Sequence, residues 1–356
     1  QTLATVGIGI VQVGPIIGTN GYVISRTALL RVASKASATE ETQGPAKLVV
    51  DEEAAEAARR AFEQEPLSTD ALFLIQEYLA TSRSRDAANA ILVASQKLSR
   101  RDPNLNLQLM ELYARRGDLQ PTMEIVDRLA RTEPTLAKQL IEPMIQFLGN
   151  DDAIPVFVQL LGDRPSWSEA FWNKAALSPG AKSAAELWVA LEPPLRPDDE
   201  ITGKLIAGLA AQGQWQKAFE LFGRASSASK TEGRISHSTR FPPIDWVTAN
   251  SGTHTLEILP GGQLKFFAQS GGRYELAKQI VHLEPGSYAV THELSVMRGQ
   301  DDALIEAELE CAEQNVEPQP TRMRLDGEST PIEVRLPSDS ACQFFRLTLY
   351  ANVLAS

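Results

Sequence analysis

Five carboxylates crowd into ten residues late in the chain: Asp301, Asp302, Glu306, Glu308 and Glu310. Such a cluster could hold calcium, a hard cation that takes several oxygen ligands, or supply the acid and base of a hydrolase. The last three alternate with Ala307, Leu309 and Cys311, however, as expected of a strand with one wet face. The four histidines, His237, His254, His282 and His292, are scattered. If the chain turns symmetrically at Pro285-Gly286, then Leu283 faces Tyr288, Val281 faces Val290 and Gln279 faces His292. Every large apolar residue of that pair except Ile280 then shares one face, and His282 lies on the other, so His282 and His292 cannot ligate one metal. The chain has no Gly-x-x-x-x-Gly-Lys phosphate loop, no Gly-x-Ser-x-Gly elbow and no His-Glu-x-x-His. The expectation is a non-enzymatic protein with no catalytic residue, cofactor or metal.

Two further kinds of chemistry are open. A sugar ring offers an apolar C-H face that stacks on an exposed aromatic, and Trp246, Phe267, Tyr274 and Phe345 are the candidates for that role. Each has a competing role in the core, Trp246 most of all, since it follows two prolines and Asp245. The two cysteines, Cys311 and Cys342, are too far apart for a CxxC motif and have no clustered histidines to complete a zinc site. They are either buried thiols or one disulfide, and the compartment decides which.

That compartment is argued from the first 25 residues, which contain no charge and are rich in Val, Ile and Leu. A membrane helix needs about 20 such residues. Five glycines, Pro15 and Asn20 leave a secretory apolar region or a buried β-hairpin as alternatives. The expected organisation begins with a membrane anchor over 1–35, its cations Arg26, Arg31 and Lys35 at the headgroups, and a small polar linker over 36–50. The formal net charge of -11 argues against nucleic acid as a partner.

The helical part is organised around Gly213 to Ala225. Gly213, Ala218, Phe222 and Ala225 stand at offsets of a turn glycine followed by small, large and small residues on one helix face. The spacing recurs. Ala54, Ala58 and Ala61 fit it with Pro66 beyond, and Gly117, Thr122, Val126 and Leu129 with Pro134. Ala153, Phe157 and Leu160 precede Pro165, Ala181, Ala185 and Trp188 precede Pro193, and Ile91, Ser95 and Leu98 fit poorly before Pro103. Each proline stops one helix and pre-sets the next. The pattern resembles tetratricopeptide repeats over residues 51–226, which implies a solenoid of helical hairpins with a groove for a protein partner. A spacer role is the plainer alternative. Trp215, Phe219 and Phe222 should form the array's terminal packing face, capping it or meeting the next domain.

Residues 227–240 read as a serine-rich linker, and its cations as solvated, with anion binding a lesser option. Beyond it the period becomes two, with strands expected at 255–259, 263–268, 275–283, 287–296, 303–311, 331–336 and 343–350. The fold class is thus multidomain α + β: a membrane helix, an α-solenoid and an antiparallel β-sandwich, jelly-roll-like, over 241–356. The strings Phe241-Pro-Pro-Ile-Asp-Trp246, Leu283-Glu-Pro-Gly-Ser-Tyr288 and Ala341-Cys342-Gln-Phe-Phe-Arg-Leu347 resemble the carbohydrate-binding-module type of sandwich in bacterial envelope proteins. The resemblance implies a single-pass protein of the bacterial inner membrane with most of the chain in the periplasm. There it would work with membrane-complex subunits and polysaccharide, in exopolysaccharide synthesis or export, and Cys311–Cys342 would be bridged. The alternatives are an accessory subunit with no sugar binding, and a hydrolase or lyase with its site between the domains.

Overall fold

Several helices open on a side chain that accepts a hydrogen bond from their own first turn, which satisfies an amide that would otherwise be orphaned. Asp51 accepts from Ala54 N, Ser68 from Ala71 N, Asp102 from Leu105 N and Asp198 from Ile201 N. In this computed structural model the described residues are 20–39, 49–82, 84–150, 152–177, 179–226, 235–259, 263–290, 303–313, 321–325, 332–336 and 342–353. The chain divides into two compact units, 1–140 and 141–356.

The first unit is helical: α1 (Gly21–Thr39), α2 (Glu52–Gln64), α3 (Thr69–Thr81), α4 (Arg85–Leu98), α5 (Pro103–Arg116) and α6 (Leu119–Thr132), followed by the start of α7 (Pro134–Leu148). Consecutive helices pair as α1/α2, α3/α4 and α5/α6, while α1 packs on α3 and α3 on α5. Successive hairpins therefore stack through their first helices, the arrangement of a helical repeat. Small residues make the close approach possible. Ala55, Ala58 and Ala61 are fully buried on α2, and a Cβ on Gly21 would overlap the carbonyl oxygen of Ala61. Pro103 and Pro134 stand at the first position of α5 and α7, where a missing amide hydrogen costs nothing.

Residues 21–35, expected within a membrane anchor, belong to α1, which reaches Thr39 and pairs with α2 as a helical hairpin ahead of residue 51. Ser25, Ala28 and Val32 of α1 are buried against α2 and α3, and the Ser25 hydroxyl lies 2.8 Å from that of Ser68. Nor do the cations reach for headgroups: Arg26 pairs with Asp70, Arg31 donates to Glu53 at 2.8 Å, and Lys35 to Asp51 at 2.6 Å. Among the described residues no helix is long and apolar enough to cross a membrane. Residues 1–19 lie outside them.

In the second unit α7 is followed by α8 (Ala153–Gly162), α9 (Ser168–Leu177), α10 (Ala181–Ala190), α11 (Asp199–Ala211) and α12 (Trp215–Ala225). The first helices α9 and α11 pack together, as do the second helices α8, α10 and α12. A Cβ on Gly208 of α11 would overlap the carbonyl oxygen of Ala176 on α9, which leaves glycine alone at that crossing.

The remainder is antiparallel: β1 (Val247–Thr248), β2 (His254–Ile258), β3 (Leu264–Ala268), β4 (Gly272–His282), β5 (Gly286–Val290), β6 (Ala303–Cys311), β7 (Thr321–Leu325), β8 (Ile332–Leu336) and β9 (Phe344–Val353). Five strands form one sheet in the order β1-β4-β9-β6-β7, with β2-β3 and β5-β8 as two smaller sheets. Leu276, Val281, Ile305, Leu309 and Leu347 of the large sheet share a core with Leu256 of β2 and with Val334 and Leu336 of β8. The small sheets thus cover one face of the large one.

The hairpin expected at Pro285-Gly286 does not form. β5 pairs with β8, placing Tyr288 opposite Val334, whereas β4 pairs along its length with β9, placing Val281 opposite Phe345 and His282 opposite Phe344. The longer ladder wins, because ten residues of pairing with a strand whose inward Phe345, Leu347 and Ala351 are buried outweigh one local turn. The expected partner of Gln279, His292, lies outside the described residues.

Candidate functional site

The outward face of the large sheet changes character along its length. In the register of β4, β9 and β6, one row carries His282 and Phe344, the next Ile280, Arg346 and Glu310, then Lys278, Thr348 and Glu308, then Glu275, Tyr350 and Glu306. The first end is apolar and is covered by α12. Ile280, Phe344 and Ala312 form a buried cluster against Trp215 and Phe219, with Trp215 and Phe344 stacked at 6.4 Å between ring centroids. His282 stacks on Phe344 at 4.9 Å and lies 5.9 Å from Phe219. Phe222, one turn on, meets Phe241 edge to face at 6.0 Å. The terminal aromatic face of the array therefore meets the β-domain, and Ile280, the apolar exception on its strand, is part of the seat.

The seat is tied down from beneath. Cys311 at the end of β6 and Cys342 just before β9 form a disulfide. Ala312 N donates to Phe344 O at 2.8 Å, and the Glu313 carboxylate accepts from Gln343 N at 2.8 Å. At its margin, the buried Asp245 accepts from Phe241 N at 2.8 Å and from the Ser236 hydroxyl, while Ser236 N donates to Gln279 Oε1 at 3.1 Å. Arg240 lies against the Phe241 ring and donates to Asp199 of α11 at 2.8 Å.

The other end of this face is a charge lattice. Arg273 donates to Glu306 at 2.9 Å, sits 3.0 Å from Glu308 and lies 3.6 Å over the ring of Tyr350. Arg322 donates to Glu308 at 2.7 Å, and Arg346 to Glu310 at 3.2 Å. The hydrogen bond from Arg273 holds the Glu306 carboxyl below its ordinary value, while burial, with Glu308 nearby, raises the Tyr350 hydroxyl. Ile305, Ala307 and Leu309 turn inward between these glutamates. Each of the three is committed to a guanidinium, as structural ion pairs are. Asp301 and Asp302 lie outside the described residues, and among those described no group of three or more His, Cys, Asp or Glu could hold a metal ion. His237 is exposed and His254 stacks on Tyr274 at 5.2 Å, whereas His282 stacks on Phe344.

Of the four aromatics considered for sugar stacking, the structure brings no two together on an open surface. Trp246 and Phe345 are buried in the sandwich core, at 2% and 7% exposure, and are unable to stack on a ligand. Phe345 falls on the inward register of β9, while Trp246 precedes β1, its amide donating to Ser238 O at 2.9 Å. Tyr274 is half-buried beside His254 on the inner side. Phe267 alone is open, 56% exposed on the outer face of β3, opposite Thr255 and next to the facing pair Glu257 and Lys265.

The repeat positions fall where hairpins touch. Ala54, Ala58, Ala61, Ala153, Phe157, Ala181, Ala218 and Phe222 are all buried, and Phe157 stacks on Phe171 of α9 at 5.3 Å. Gly117 and Gly213 sit between α5 and α6 and between α11 and α12 with φ of 76° and 72°, left-handed turns that favour glycine. Sequence reasoning assigned no role to Arg273, Arg346 and Phe344; the signal available for the last two was the alternation of Phe344, Arg346, Thr348 and Tyr350 with Phe345, Leu347 and Leu349 on β9. Comparison with models of known protein families finds no match, and comparison with curated proteins finds none either.

Proposed function

We propose that this chain is a non-enzymatic scaffold, with tetratricopeptide-like hairpins that hold a protein partner and a carbohydrate-binding-module-like sandwich that meets glycan or a second subunit. The setting we propose is the periplasmic side of a bacterial inner membrane, with a membrane anchor at the N-terminus, in exopolysaccharide synthesis or export. The observation that carries the reading is the seating of α12 on the sheet. The α11/α12 hairpin is fixed to the sheet through Trp215, Phe219, Ile280 and Phe344, which joins a helical surface to a second domain, as a scaffold requires. The Cys311–Cys342 bridge supports the oxidising compartment.

The sugar half of this proposal rests on Phe267 with Thr255, Glu257 and Lys265. The accessory-subunit reading, without sugar, is favoured by the burial of Trp246 and Phe345, which leaves one open aromatic where sugar sites commonly use several polar and aromatic groups together. Glycan-array binding by the full chain, with Phe267→Ala beside it, separates the two. Binding that the substitution abolishes supports the glycan reading. No binding, together with membrane subunits co-purifying in mild detergent, supports the second. If neither glycan nor protein is captured, the scaffold proposal fails.

A further inference from the structure

Helix α1 carries apolar residues on two opposite sides. At about 100° per residue, Gly21, Ser25, Ala28 and Val32 form one stripe, and all four are buried against the hairpin beneath. Val23 and Leu30, two helical turns apart, fall on the side facing directly away, with Tyr22 next to them. Their exposures of 38%, 44% and 46% place all three among the few large apolar side chains left open on the described surface. A helix that merely edges a soluble array puts polar residues on that side.

The charges of α1 do not account for this face. Arg31 is held by Glu53, Lys35 by Asp51 and Arg26 by Asp70. The hydrogen bond from Arg31 keeps the Glu53 carboxyl low, and that from Lys35, then that from Ala54 N, does the same for Asp51. The outward side carries Val23 and Leu30 edged by the exposed Arg26, Thr27 and Ser34, with Tyr22 on its flank at the helix start, apolar contact bordered by polar groups, as in a helix lying at a bilayer interface. The chain itself says what lies nearby. Asn20 caps α1, accepting from Tyr22 N at 2.8 Å, so the helix begins at the very end of the uncharged stretch 1–19. A helix joined to a membrane anchor with no linker stays within a turn or two of the bilayer surface.

We infer that Tyr22, Val23 and Leu30 rest on the lipid surface, an apolar footing that orients the first hairpin against the membrane. This inference builds on the anchored reading above. The ligand is the acyl and headgroup boundary of the bilayer itself, bound by burial of apolar area and not by attraction to anionic lipid.

The test uses the full chain with Leu30→Cys. Among the described residues no cysteine is free, so a thiol-reactive NBD fluorophore applied without reductant marks position 30 alone. Thr27→Cys, on the same side, serves as a second site, and Leu98→Cys, exposed at the end of α4, as a reference. The proteins are mixed with phosphatidylcholine vesicles and floated. The expected result is co-flotation, with emission at positions 30 and 27 rising several-fold, shifting to the blue and quenched by nitroxide-bearing lipid, while position 98 is unchanged. Emission that needs anionic lipid overturns the apolar footing. Co-flotation with positions 30 and 27 unchanged overturns the inference and leaves the anchor standing. Failure to float overturns both. Emission already high without vesicles also overturns it, marking a second copy if it scales with concentration and the chain's own residues if it does not.

Discussion

Among the described residues α1 is the first helix of the hairpins and α12 the last, and a stack leaves an apolar face bare at its ends unless something covers it. On α12 the cover is part of the chain: Trp215 and Phe219 lie on Ile280, Ala312 and Phe344. On α1 the outward residues Val23 and Leu30 stay open, while its inward residues are buried as thoroughly as any in the array. The difference shows that an exposed apolar face has to be judged by its position in the array. At an internal hairpin it would be a packing fault, whereas at a terminus it marks where a further surface belongs.

The comparison can be broken most severely at the covered end. Phe344→Ala should cost about 3 to 5 kcal/mol, the range for emptying a buried aromatic site, and should expose Trp215, read together as a lowered Tm and a red-shifted tryptophan emission. Replacing Cys311 and Cys342 together by Ser should cost about 4 kcal/mol, since the bridge closes a 31-residue loop. Urea unfolding with and without reductant checks this: the wild type should lose stability on reduction and the double variant should not respond. Gly213→Ala introduces a Cβ at a φ of 72°, with nothing nearby to clash, so about 1 kcal/mol of backbone strain is the whole expected effect.

The charge lattice beyond α12's cover predicts a pH dependence. Glu306 has a lower pKa folded than its ordinary 4.5. Its stabilising contribution is therefore complete above that value and disappears as pH falls through the folded pKa. Because Glu306 is partly exposed, the effect is about 0.5 kcal/mol. Glu306→Gln should flatten the acid limb of a Tm-against-pH curve by that small amount. At the uncovered end, Leu30→Ser should shift the Tm in vesicle-free solution by the equivalent of at most about 0.5 kcal/mol. A large loss there would mean that Leu30 is packed after all and that the two ends do not differ.

How much of this was legible beforehand follows from the range of the contacts. The second helices of the hairpins announce themselves through residues three to five apart, such as Ala54, Ala58 and Ala61, because helical packing is written locally. Seven of the nine described strands also announced themselves by alternation, β1 and β7 being missed, but their partners did not. Nothing local to Gly272–His282 says that its ladder is β9, some seventy residues on. The same blindness misled the reading of α1. Its hydrophobicity was visible, yet Ser25, Ala28 and Val32 are apolar or small for the sake of α2 and α3, and a run of apolar residues does not say whether lipid or protein will cover it. The four aromatics proposed for sugar show the same limit, since burial of Trp246 and Phe345 depends on strands β2 and β8 that close over them.

One consequence of the strand order concerns the making of the protein. β9 lies between β4 and β6, yet it comes last in sequence among the described strands. Neither of its neighbours can complete its ladder, Cys311 cannot find Cys342, and α12 has no Phe344 to rest on until β9 has been delivered. A chain that emerges N-terminus first therefore carries a finished hairpin array with a bare aromatic end for as long as the ninth strand is in transit. During that interval the chain is at its stickiest. A holding chaperone, or a truncation before Phe344, would trap that intermediate.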